Sequence, residues 1–141
     1  MKQEVPIRIT VENPIRGVVM QVQRGRYELL APSEMADGSI AFDLSITVDL
    51  STGDPNFLGK YAQGPKDARF VYVNSGKSAG QLNSCWERRA KISLMSIAKE
   101  QIESVLRSPT AHLEAKMNGV GRDGGPTCAS VKGIVWTVAK S

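Results

Sequence analysis

From Ile40 to Leu50 the chain alternates almost without a break. Ile40, Phe42, Leu44, Ile46, Val48 and Leu50 are apolar, and Asp43, Ser45, Thr47 and Asp49 lie between them. Successive side chains of a strand point to opposite faces, so this segment reads as a strand with one apolar and one wet face. That pattern constrains everything else. Such a strand is stable as part of a sheet whose apolar side is covered by a second layer.

The flanking segments supply the sheet. Ile7 to Glu12 alternates with the same period and stops at the turn pair Asn13 and Pro14. Val18 to Gln23 and Tyr27 to Leu30 read as short strands joined by a turn at Gly25, and Pro32 to Gly38 as a polar loop. Arg69 to Asn74 is dense in aromatic and β-branched residues. Arg89 to Leu94, Ala111 to Met117 and Ile134 to Val138 complete the strands. A single helix is predicted: Leu94, Ile97, Ala98, Ile102, Val105 and Leu106 recur at helical spacing, in a stripe interrupted by Gln101. Ser96 is its expected N-cap and Pro109 its stop. About eight strands with one helix predict an α+β fold, mostly β, as an antiparallel-rich barrel or bent sheet that the helix closes. No linker, repeat or charge block divides the chain, so residues 1–141 are expected to form a single domain.

Composition works by exclusion. No apolar run approaches the roughly 18–20 residues that cross a bilayer. Met1 to Pro6 lacks the apolar stretch of a secretory signal, so a cytoplasmic protein without a membrane partner is expected. The net charge of +4 is distributed over 18 Lys and Arg, with one local cluster at Arg88, Arg89 and Lys91. An excess of that size sustains only a weak, salt-sensitive contact with phosphate backbone, which argues against a nucleic-acid partner. Cys85 and Cys128 have no zinc spacing, and no set of His, Cys, Asp and Glu is spaced like metal ligands, so neither a metal nor a cofactor is expected.

Three glycine-rich segments stand out: Asn56 to Pro65, Asn74 to Gln81 and Gly121 to Cys128. Glycine is costly to order, so such loops persist where backbone turns tightly or approaches something closely. Between the last two lies Ser84 to Lys91. Arg88 and Arg89 suit a carboxylate or phosphate, which arginine holds bidentately, and Trp86 suits a planar ligand. The structural alternative places Arg89 and Lys91 on the wet face of a strand and Trp86 in the core. In Gly121 to Thr127, successive backbone N–H groups can form an anion nest beside Arg122 and Asp123. The spacing and the strand that follows exclude a P-loop, and a tight loop capped by Asp123 is the structural alternative. Gln63 and Asn74 offer amide arms to a pocket. Asp43 and Asp49 share one face but stand about 20 Å apart by strand rise, too far for an acid–base pair.

The segments NFLG from Asn56, AQGP from Ala62, RFVYVNSG from Arg69, SCWxRRAK from Ser84 and GRDGGPTCA from Gly121 resemble, in order and wording, a family of small bacterial proteins of unknown function. The resemblance spans essentially the whole chain. It implies a stand-alone protein of about this length with no assigned activity, and it brings no catalytic residue.

The leading functional expectation is a non-catalytic, β-rich domain that binds a small anionic or polar ligand through Gln63, Asn74, Trp86, Arg88, Arg89, Arg122 and Asp123. One alternative is a protein-interaction or structural module using an exposed strand edge or apolar loop. The other is a small enzyme with Cys85 or Cys128 as nucleophile, assisted by Asp123 or His112.

Overall fold

Two sheets and one helix make up the computed structural model, which describes residues 2–24, 28–51, 53–58, 69–76, 90–119 and 134–140. In chain order the elements are β1 (Lys2–Glu12), β2 (Val19–Arg24), β3 (Glu28–Leu30), β4 (Ser33–Glu34), β5 (Ile40–Asp49), β6 (Asn56–Leu58), β7 (Phe70–Gly76) and β8 (Ala90–Ser93). A short 3-10 turn (Leu94–Ser96), helix α1 (Lys99–Leu106), β9 (Ala111–Asn118) and β10 (Trp136–Lys140) follow. The first sheet runs β10-β9-β1-β5, with β4 and β6 sharing the far edge of β5; the second runs β3-β2-β7-β8. Every pairing is antiparallel except that of β1 with β9.

The fold is α+β and mostly β, as the alternation predicts. Of the two expected forms, it takes the open one: neither sheet closes into a barrel among the described residues. Among the described residues ten strands form where about eight are read from the sequence. The additions, β4 and β6, are two and three residues long. Alternation cannot show in so short a run, and both exist because the edge of β5 offers them a ladder.

Register decides which face is buried. Val5 faces Ile46, Ile7 faces Leu44 and Ile9 faces Phe42, while Ile7 and Ile9 stand beside Leu113 and Ala115 on the other side. Slipping any strand by one residue would turn this apolar set out to water. Met20 and Val22 of β2, Val71 and Val73 of β7, and Ile92 of β8 join the same core, with Ile102 and Val105 of α1. Each buried side chain of this size contributes about 1.5–3 kcal/mol relative to exposure.

The helix begins later than its stripe suggests. Ser93 Oγ accepts from Met95 N–H at 3.1 Å and so caps the 3-10 turn, and Ala98, not Ser96, is the N-cap of α1. Gln101, the polar interruption of the stripe, resolves this. Its Oε1 accepts the Ala98 N–H at 2.9 Å, one half of a capping box, and its Nε2 donates to Trp136 O at 2.6 Å. Trp136 Nε1 in turn donates to Ser93 O at 3.0 Å, fastening β10 to the entrance of the helix. Among the described residues no helix is long and apolar enough to cross a membrane.

Candidate functional site

The wet face of the first sheet carries the densest polar chemistry among the described residues. Arg8, on the even-numbered face of β1, donates from Nε to Asp43 Oδ1 at 2.7 Å and from Nη2 to Asp43 Oδ2 at 3.1 Å, a bidentate pair. Ser45 and Thr47 donate to the two oxygens of Glu4 at 2.8 and 3.3 Å. Thr10 donates to Glu114 Oε2 at 2.9 Å, and Lys116 Nζ stands 3.9 Å from the other oxygen. The bond to Asp43 raises the Arg8 pKa against a smaller opposing effect of burial. At the end of β5, the Ser51 hydroxyl and then its N–H hold Asp49 down at about 2.

Pro6 breaks this face. A proline cannot donate to a ladder, so an inner strand is an uncommon place for one. Here it stands one residue before the β1–β9 ladder begins at Ile7, and it faces Ser45 on β5. The Ser45 carbonyl accepts from Nη1 of buried Arg24 at 3.5 Å, across from the second sheet. Beside Pro6 lies a shallow hollow of about 420 Å³, lined also by Asp43, Ser45 and His112. His112 is only 8% exposed. Glu4, Asp43 and Glu114 each already accept from a neighbour, so the chemistry of this face is directed inward, toward holding strands together.

Of the residues expected to bind a ligand, the described structure holds Asn74. It lies on β7 opposite Gln21, on the side facing away from Val71 and Val73, and its Nδ2 donates to Gln23 Oε1 at 3.1 Å. The amide that reads as a pocket arm is engaged in a diagonal cross-strand pair. Gln63, Trp86, Arg88, Arg89, Arg122 and Asp123 lie outside the described residues, as do Cys85 and Cys128.

The strand ends flanking those residues are well placed, and this is what motif reading missed. β7 ends at Gly76 opposite Val19, the first residue of β2. β9 ends at Asn118 beside Glu12, the last residue of β1. The short connection from Asn13 to Val18 joins these two points, so segments 77–89 and 120–133 depart from the same end of the molecule. Segment 59–68 departs elsewhere: Leu58 pairs with Thr47 near the far end of β5, and Phe70 pairs with Ser93 at the far end of β7. Topology thus gathers the flanks of two glycine-rich segments and separates them from those of the third.

The chain belongs to the family of unknown function DUF5990, whose model matches residues 5–139, from within β1 to within β10. This bears out the likeness to a family without an assigned activity. No curated protein and no solved structure matches the chain.

Proposed function

We propose that this protein is a non-catalytic binding module for a small anionic ligand, held by Arg88, Arg89 and Arg122 on segments 77–89 and 120–133. The observation that carries the reading is the common origin of those segments, at Gly76 opposite Val19 and at Asn118 beside Glu12. Their charge supports it. Together they contain Lys77, Arg88, Arg89, Arg122 and Lys132 against Glu87 and Asp123, a net +3 out of the chain's +4. Arginine binds carboxylate or phosphate with two parallel hydrogen bonds, and glycine-rich backbone adds N–H donors. Trp86 and Asp123 belong to the same two segments, as a stacking surface and an orienting acceptor. Gln63 belongs to the segment that leaves from elsewhere, and the Asn74 amide is held by Gln23.

Titration of the full chain with inorganic phosphate, pyrophosphate and citrate tests this. Saturable binding that weakens with salt is expected, and Arg88→Ala or Arg122→Ala should each reduce affinity about tenfold or more, the usual scale of a charged hydrogen bond. Absence of saturable binding, or binding that neither variant changes, overturns the reading. A protein-interaction module is the second reading, favoured by Val135 just before the edge strand β10 and Val138 within it, 72% and 39% exposed. A dimer or a co-purifying chain in native mass spectrometry would favour it; a small bound mass would favour the anion.

A further inference from the structure

Gly119 follows β9 directly and packs on the connection between β1 and β2. Its N–H donates to Glu12 O at 2.6 Å. A Cβ built on it would stand 2.7 Å from Asn13 O and 2.9 Å from Pro14 Cα. Both are backbone atoms with no side-chain freedom to move aside, so glycine alone fits without displacing the connection.

The connection itself is conformationally restricted along its length. Asn13 has a φ of 52°, the left-handed region that asparagine adopts more readily than most residues. Pro14 follows with its ring-fixed φ. Val18 N–H then donates to Ile15 O at 3.1 Å across a turn whose third residue, Gly17, has a φ of 85°, as a type II turn requires. Val19 comes next, opening β2 opposite Gly76. A six-residue connection, shaped by the Asn13 and Gly17 turns and by Pro14, therefore runs between Gly119, where segment 120–133 begins, and Gly76, where segment 77–89 begins. It also crosses from one sheet to the other.

We infer that the seating of Gly119 on the Asn13–Pro14 backbone is a positional lock that couples the origins of segments 77–89 and 120–133. Gly119 is then a positioning residue: it sets the spacing of the two strand ends, Asn118 of β9 and Gly76 of β7, from which those segments continue. Its bearing on a ligand rests on the reading above, whereas the coupling of the two strand ends stands independently of it. A methyl group at position 119 must push the end of β9 and the Asn13–Pro14 backbone apart. That displacement passes along a connection with little slack to the first pairs of the β2–β7 ladder.

Hydrogen exchange on the full chain separates these claims. In Gly119→Ala, exchange should rise about tenfold, one decade of opening equilibrium, at residues 19–21 and 74–76 of the second sheet, and phosphate affinity should fall with it. Asn13→Gly keeps the left-handed turn accessible and should leave both quantities at the wild-type level. If Gly119→Ala does not fold, Asn13→Val strains the same turn from its other side, because a β-branched residue at positive φ is a genuine outlier, and should raise exchange at the same ladder. Faster exchange confined to residues 12–13 and 117–119 overturns the lock. Should the wild-type chain bind no phosphate while exchange near Gly76 still responds to Gly119→Ala, the ligand reading falls and the coupling survives.

Discussion

The wet face of the first sheet and the sequence of segments 77–89 and 120–133 carry charge in opposite proportions. On the face, Arg8 is matched by Asp43, Glu4 accepts from two hydroxyls, and Glu114 accepts from Thr10. The two segments hold five basic residues against two acidic ones. Charge matched at short range contributes modestly to stability and projects little field beyond its partner. Charge left in surplus repels itself within a compact chain and raises the local concentration of counter-ions, which is useful only if an anion is to be attracted.

The largest expected effect comes from breaking what both regions depend on. Trp136 is buried, donates to Ser93 and receives Gln101, and so binds β8, α1 and β10 together. Next to it, Thr137 belongs to the wet face, and segment 120–133 rejoins the fold just before it. Trp136→Ala should cost about 3–5 kcal/mol in urea unfolding, the usual loss for a large buried aromatic. Trp136→Phe keeps most of the packing and forfeits the indole bond, a loss of about 1 kcal/mol. A cost for the alanine variant no greater than for phenylalanine would detach β10 from the core.

Arg88 and Arg8, one from each region, should respond differently to removal. Arg88→Ala should weaken phosphate binding about tenfold or more, as a lost charged hydrogen bond does, while Arg8→Ala leaves it within about twofold. The reverse result would move the anion site to the wet face, around the hollow at Pro6. Arg8→Ala should also lower stability by no more than about 1 kcal/mol, since its ion pair is 27% and 57% exposed at its two side chains and water screens it.

How much of this was legible depended on how far each cause lies from its effect along the chain. β1, β5 and β9 are long and wet on one side, so period-two alternation survives in them and announces the first sheet. β4 and β6 owe their existence to the neighbouring edge of β5, which no local pattern records. The stripe of α1 is visible, but its start is set by Ser93 and by Gln101 reaching Trp136. Asn74 reads as a free arm because its partner, Gln23, arrives from another strand. Gly119 sits in no glycine-rich segment and has no motif, and its importance comes from the Asn13–Pro14 backbone that seats against it. The Asn118–Gly119 pair at the end of the strand pattern was the available signal, since it marks a turn there but says nothing of the backbone it packs on.

The smallest effect lies at the end of the same wet face. Asp49 Oδ1 accepts the Ser51 N–H at 2.9 Å, and the Ser51 hydroxyl lowers its pKa further, to about 2. A carboxyl depressed in the folded state contributes stability above its unfolded value, near 3.9. That contribution is lost as pH falls through about 2. Asp49 is half-exposed, and the direct signature of its hydrogen bonds is the titration itself. Carbon-detected NMR of the Asp49 carboxyl should give a midpoint near 2 in the wild-type chain. In Ser51→Ala the midpoint should rise part of the way back, because the hydroxyl is gone and the backbone N–H remains. A midpoint already at the ordinary aspartate value would mean that the turn after β5 does not hold its carboxylate in solution. The wet face would then be less thoroughly matched than the contrast with the basic segments requires.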